Sequence, residues 1–199
     1  MQVFKNKIVI ISIFILIALI ILVYTQFLSP VSFSLNSANW YVVDDIEFNS
    51  INYHYSEEYK NSPSNDTQYL TDSEVLPSND KNDYVKVFYN VKANNKSIFD
   101  IVQVDSMVYE IDDKYKDRFL YSYSASCIMV QSVNRLGNSL IPCDVYIYVG
   151  GLEEEEIKDL IKSISLKLIY QTEFFGTRTK ILDTRNVNEF INSPYIQAE

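Results

Sequence analysis

Residues 84–92 read YVKVFYNVK, the clearest strand pattern in this sequence. Apolar side chains recur there at every second position: Val85, Val87, Tyr89 and Val91. Lysine and asparagine fill most of the positions between them, so a pleated strand would bury one face and expose the other. The stretch predicts a strand in a sheet that has one buried face.

The chain on both sides of this strand predicts more β-structure. Downstream, the turn residues 93–97 precede a predicted strand at Ile98–Tyr109, and Asp112–Arg118 is a predicted turn or single helical turn. Upstream, the alternation within Trp40–Tyr55 predicts the first strand, with a bulge near 49–50 where the period of two is broken.

A hairpin is predicted from Phe119–Val133 and Leu140–Val149, joined by a turn at 134–138 in which Gly137 can take a positive φ. Cys127 and Cys143 lie at equal distances from residue 135, which is in that turn. They would face each other across the hairpin, and a disulfide could form outside the cytoplasm. The alternative is two buried free thiols.

One amphipathic helix is predicted between the late strands, at Leu152–Ile164. Its apolar side chains fall at helical spacing: Ile157, Leu160, Ile161 and Ile164. Acidic residues at 153–156 favour its N-terminus through the helix dipole. Alternation then resumes at Leu166–Tyr170, and Arg178–Asp183 is a predicted last strand.

The segment that decides the compartment is Ile8–Tyr24, which reads IVIISIFILIALIILVY. With the residues to Leu28 it is long enough for a helix across a lipid bilayer. Lys5 and Lys7 precede it, which predicts a cytoplasmic N-terminus. A cleaved signal peptide and a buried core helix are the alternatives.

These patterns predict a mainly β fold: an N-terminal transmembrane helix, then an antiparallel β-sandwich with one amphipathic helix. The predicted organisation is a cytoplasmic stub and anchor at 1–28, a stem at 29–38, a sandwich domain at 39–185 and a polar tail at 186–199. Residues 57–83 are rich in Ser, Asn, Asp and Pro and predict a long polar loop within the domain.

Charge and composition exclude several functions. The net charge is −9, and every acidic residue follows the apolar segment. Such a domain repels phosphate backbones, so no nucleic-acid partner is expected. No cofactor or metal is expected, because the spacing of a calcium-binding loop is not matched by the acidic clusters Asp44-Asp45, Asp112-Asp113 and Glu153–Glu156. Tyr121, Tyr123, Tyr146 and Tyr148 could form a recognition face, although cross-strand pairing is the simpler interpretation.

Catalysis would depend on His54, the only histidine. With Cys127 and Arg135 it follows the residue order of sortases, which are anchored transpeptidases. However, Ser124-Ala125-Ser126 precedes the cysteine in place of that family's threonine-rich approach. We therefore expect no enzyme and a solvent-facing His54 on a strand, with a sortase-like transpeptidase as the alternative function.

The stretch from Tyr84 to Tyr170 resembles the immunoglobulin-like domains called FxLYD, which lie outside the membrane of Gram-positive bacteria. The resemblance rests on the strand 84–92 with its polar turn, on Ile98-Phe99-Asp100-Ile101, and on Gly151 before EEEEIKDLIKSISLKLIY. It implies that the sandwich is an antiparallel immunoglobulin-like β-sandwich and that it serves as a binding or accessory module. The expected partners are the bilayer, through Ile8–Leu28, and an envelope protein or wall component.

Overall fold

The computed structural model describes residues 2–56, 59, 67–68, 75–123, 131–172, 176–187 and 189–192. Within them the helices are α1 (Gln2–Val23), α2 (Asp45–His54) and α3 (Glu154–Lys162). The strands are β1 (Val31–Val42), β2 (Thr67–Gln68), β3 (Tyr84–Asn95), β4 (Ile101–Ile111), β5 (Phe119–Tyr123), β6 (Gln131–Val133), β7 (Asn138–Tyr148), β8 (Ile164–Thr172), β9 (Gly176–Asp183) and β10 (Glu189–Asn192).

The strands form two sheets. The six-stranded sheet has the order β10-β1-β3-β7-β5-β2, and the four-stranded sheet has the order β6-β4-β8-β9. Neighbouring strands are antiparallel except β1 and β10, which are parallel. The predicted mainly β fold is therefore confirmed, and its sheets are antiparallel with one parallel pair at an edge.

The main core contains side chains from both sheets. The alternate positions of β3 that the sequence assigns to the apolar face are buried here: Val85, Val87, Tyr89 and Val91. Tyr89 is buried, and its hydroxyl donates a hydrogen bond to the carbonyl of Ile161 at 2.7 Å. That bond ties β3 to α3 while satisfying a buried hydroxyl.

The predicted amphipathic helix is confirmed as α3. Ile157, Leu160 and Ile161 are buried against the core, and Ile164 is buried as the first residue of β8. Glu153 and Glu156 form a capping box at the helix N-terminus. The acidic run therefore stabilises a helix end.

The predicted first strand at Trp40–Tyr55 is wrong, because most of it forms α2. The Asp44 side chain accepts a hydrogen bond from the backbone N–H of Glu47, and the Glu47 carboxylate accepts one from the N–H of Asp44. This capping box starts a helix where a strand was expected. The spacing from Phe48 to Ile51, taken as a bulge, is the three-residue step of a helix face.

The predicted stem and tail both contain strands. Residues 31–38 of the predicted stem belong to β1, which pairs with β3 along its length apart from a bulge between Leu35 and Ala38. Glu189–Asn192 of the predicted tail forms β10 beside β1. These polar stretches become strands because their backbones complete the edge of the six-stranded sheet.

The predicted hairpin around 134–138 is confirmed in part: β5 is antiparallel to β7, but the register differs and β6 has another partner. A hairpin centred on residue 135 would place Tyr123 opposite Ile147, but Tyr123 pairs with Asp144. β6 does not extend β5 and pairs with β4 in the other sheet. The chain therefore changes sheets between β5 and β6, and Leu136, not Gly137, takes the positive φ, at 51°.

The apolar N-terminal segment is helical, as predicted. α1 runs to Val23, and a π-helical turn at Tyr24–Leu28 continues it. Among the residues that the structure describes, which for the side chains of α1 begin at Ile10, no helix is long and apolar enough to cross a membrane. The large apolar side chains from Ile10 to Val23 are each between 47% and 68% exposed.

Candidate functional site

α2 covers the outer face of the six-stranded sheet, the face turned away from the four-stranded sheet. It buries a second apolar cluster there: Val43, Ile51, Tyr84, Leu120, Tyr121 and Tyr146. Tyr121 and Tyr146 stack with ring centroids 4.7 Å apart. Two of the tyrosines considered for a recognition face, Tyr121 and Tyr146, therefore lie in this covered cluster. Tyr148 is partly buried against the cluster, and the side chain of Tyr123 lies outside the described residues.

A charged cluster lies under the first turn of α2. The Nζ of Lys86 in β3 lies 3.2 Å from Oδ2 of Asp144 in β7 and 3.3 Å from Oε1 of Glu47 in α2. All three side chains are largely buried. The hydroxyl of Tyr41 donates to the same Glu47 oxygen at 2.8 Å. Two strands and a helix therefore meet at one ammonium group.

Burial raises the pKa of the Asp144 carboxyl above its ordinary value, although Lys86 works in the opposite direction. For Lys86, burial lowers the pKa, but Asp144, Tyr41 and Glu47 raise it by more. Oδ1 of Asp144 is buried and has no hydrogen-bond partner among the described residues. Burying these three charges costs free energy, and removing one of them would leave its partner charge buried and uncompensated.

This charged cluster fastens α2 to the sheet. Besides the ion pairs, the Lys86 ammonium lies 4.4 Å from the centroid of the Phe88 ring, a cation–π distance. Glu47 also caps α2, so one carboxylate orders the helix N-terminus and pairs with the sheet. Sequence reasoning did not find this cluster, because its three charges lie far apart in the chain.

His54 does not face solvent, contrary to the sequence prediction. It is the last residue of α2 and is buried, with its ring 4.4 Å from that of Tyr59 and 4.3 Å from that of Tyr121. Burial lowers the pKa of His54 to about 4. At neutral pH it is therefore an uncharged aromatic packing residue.

Two residues of the sortase-like set, His54 and Arg135, lie in separate clusters of contacts. Arg135 lies in the turn after β6, where its backbone N–H donates to Asp100 at 2.7 Å, whereas His54 lies in the aromatic cluster under α2. Cys143 is buried, and burial raises the pKa of its thiol to about 12. Cys127 lies outside the described residues, so its pairing with Cys143 stays a prediction.

The acidic residues considered for calcium have structural roles where they are described. Asp44 and Asp112 cap helical turns, and Lys158 forms ion pairs with Glu154 and Glu155. Within the described ranges, no group of three or more His, Cys, Asp or Glu side chains is arranged to hold a metal ion.

The junction between the N-terminal helix and the β-domain is a second site of specific contacts. Oε1 of Gln26 accepts hydrogen bonds from the backbone N–H of Ile98 at 2.8 Å and from the hydroxyl of Ser97 at 3.3 Å. Its Nε2 donates to the carbonyl of Lys96 at 3.3 Å. The backbone N–H of Lys96 donates to the carbonyl of Pro30 at 2.7 Å. The loop between β3 and β4 therefore holds the end of the helix.

This loop is itself fixed from inside the domain. The buried amide of Asn95 donates to the carbonyls of Phe99, Val133 and Asn134 at 2.7, 3.2 and 3.2 Å. The N–H of Leu136 donates to the carbonyl of Ser97 at 2.9 Å. The loops at 96–100 and 134–137 thus form one unit beside the helix end. We call this unit the junction loops.

No protein-family model matches the chain, and a search of curated proteins also finds no match.

Proposed function

We propose that the chain is a single-pass membrane protein whose β-domain lies outside the cytoplasm and serves as a binding or structural module of the cell envelope. The observation that carries this proposal is the exposure of α1 together with its direct attachment to a folded β-domain. Apolar side chains around the whole helix face outward from Ile10 onward, and no described face of it is packed on the sandwich.

The length of the helix supports a transmembrane role. The apolar segment from Ile8 to Leu28 has 21 residues (28 − 8 + 1), so as a helix that rises about 1.5 Å per residue it is about 30 Å long. A bilayer core is about 30 Å thick. A helix that is apolar on every side is unstable in water and stable in lipid, where its backbone groups bond to one another.

The orientation of the protein follows from its charges. Lys5 and Lys7 precede the apolar segment, and the next basic residue in the chain is Lys60. Positively charged flanks are retained in the cytoplasm, so the β-domain is placed on the other side.

A binding or structural role fits the domain better than catalysis. Two sheets that share the main core support the proposed immunoglobulin-like sandwich. The buried charges of Lys86, Glu47 and Asp144 hold α2 on the sheet, and His54 is an uncharged packing residue. We propose an envelope protein or a wall component as the partner.

Extraction of membranes at alkaline pH tests the anchor. The full chain should stay with the lipid, and a variant lacking residues 2–28 should be released. A matched variant, Ile13→Lys with Ile17→Lys, keeps the length but places two charges at the helix centre. Each costs about 2.5–3.5 kcal/mol on insertion, so this variant should also be released. Release of the unmodified chain would overturn the proposal.

A further inference from the structure

The β-domain begins almost immediately after the helix. The π-helical turn ends at Leu28 and β1 begins at Val31. Three residues span at most about 10 Å. Gln26 and Pro30 are also hydrogen-bonded to the loop after β3. The domain therefore has no linker that could hold it away from the surface in which the helix lies.

The junction loops present two exposed apolar side chains beside the helix end. Ile98 is 54% exposed, and its own N–H donates to Gln26. Leu136 is 69% exposed, and its N–H donates to the carbonyl of Ser97, the residue before Ile98. The backbone positions of both side chains are fixed relative to the helix, so their exposure is built into the fold.

The backbone of Leu136 is strained. Its φ of 51° is the only positive value of a non-glycine residue among the described residues, and a glycine follows it at 137. A side chain in the left-handed region costs about 1–2 kcal/mol. The exposed side chain of Leu136 makes no core contact that would offset this strain within the domain. A contact outside the domain is the simplest reason for a leucine at this position.

The charges around these side chains fit a lipid headgroup layer. Lys96 is exposed two residues before Ile98, and Arg135 is exposed directly before Leu136. Asp100 is the acidic residue of the junction loops, and its Oδ1 accepts a hydrogen bond from the Arg135 N–H at 2.7 Å. Tyr24, at the end of the helix, is an aromatic residue of the kind enriched at membrane interfaces.

We infer that the junction loops insert Ile98 and Leu136 into the headgroup boundary of the bilayer that α1 spans, so that the β-domain rests on the membrane in a fixed orientation. The inference depends on the proposed membrane anchor. It names phospholipid as the partner of this surface, and it leaves the opposite end of the domain to face the envelope.

Tryptophan quenching tests this contact. The full chain has one tryptophan, Trp40, which is buried and gives the same background in every variant. Leu136→Trp and Ile98→Trp each place a probe in the junction loops. The control is Ile46→Trp in α2, at the far end of β1 and 79% exposed. Each variant is reconstituted into vesicles of phosphatidylcholine and phosphatidylglycerol, with and without brominated chains, and recovered by flotation.

We expect brominated lipid to quench the two junction probes about twofold more than the Ile46→Trp probe, since groups at the headgroup boundary lie about 5–10 Å deep. Vesicles that float with the protein but quench all three probes equally would overturn the inference and leave the anchor in place. Protein that does not float would overturn both. The Ile98→Trp probe covers the case in which tryptophan does not fit the strained position of Leu136.

Discussion

The side chain of Gln26 accepts a hydrogen bond from the backbone N–H of Ile98 at 2.8 Å. This bond joins the end of the N-terminal helix to a loop 72 residues later in the chain. We expect Gln26→Ala to free that amide and speed its hydrogen exchange in the full chain. Gln26→Glu is the matched control, because it keeps the acceptor for Ile98 and loses the donor to Lys96. Unchanged exchange at Ile98 in the alanine variant would contradict the described junction.

Because Lys86 forms buried ion pairs, we expect Lys86→Met to lower the stability of the domain strongly. Removing the ammonium leaves Asp144 and Glu47 charged in a largely buried site, so the free energy of unfolding should fall by about 3 kcal/mol at pH 7. Adding Asp144→Asn should restore part of this loss, because the uncompensated charge is removed. Denaturant titration of the full chain in detergent measures both changes, and a fall below about 0.5 kcal/mol would indicate a solvated pair.

The stability of the Lys86→Met variant should depend on pH. Burial already raises the pKa of Asp144 above 3.8, and the loss of Lys86 raises it further. The folded state then holds a proton that the unfolded state releases, so stability increases as pH falls towards 3.8. Lys86→Met should therefore recover stability between pH 7 and pH 4 relative to Lys86→Met with Asp144→Asn. Parallel pH curves for the two variants would refute this assignment.

The contribution of His54 to stability should depend on pH with the opposite sign. Its pKa is about 4 in the folded state and 6.5 ordinarily, so the unfolded state binds the proton more tightly. The stability that His54 contributes is complete above pH 6.5 and is lost as pH falls to 4. The loss is at most about 3 kcal/mol. His54→Phe cannot titrate and should lose less stability over that range than the unmodified chain.

The alternating apolar pattern predicted the elements that it could specify locally. β3 and β8 follow it closely, and α3 follows the apolar spacing of a helix, because one face of each packs on the core. α2 was not predicted, because the apolar positions on either side of the Phe48–Ile51 spacing also fit a strand with a bulge. The signal that distinguishes them was present in Asp44 and Glu47, whose spacing is that of a capping box.

The candidate sites depend on contacts that no local pattern predicts. β1 begins in a serine- and asparagine-rich stretch that was expected to be a stem, and its strand character comes from pairing with β3. Gln26 is an ordinary polar residue in the sequence, and its role appears only when the loop at 96–98 packs beside it. Long-range pairing of this kind is fixed by the whole fold.

Leu136→Gly tests whether the exposed leucine is strained. Glycine takes a positive φ without steric cost, so the free energy of unfolding should rise by up to about 1 kcal/mol. Gly151→Ala calibrates the effect, because Gly151 has a φ of 77° and open space around its Cβ. That change should lower stability by about 1 kcal/mol. A loss of stability in Leu136→Gly would show that the leucine side chain packs on the domain.

The central claim is that the β-domain lies outside the cytoplasm on a membrane-spanning helix, and cysteine accessibility tests it most directly. Ile46→Cys and Asn6→Cys are made singly in a Cys127→Ser background, where Cys143 is buried. Intact bacteria that express each full chain are treated with a membrane-impermeant maleimide. We expect labelling of Ile46→Cys in intact cells and of Asn6→Cys only after the membrane is opened. Labelling of Ile46→Cys only in opened cells would contradict the account.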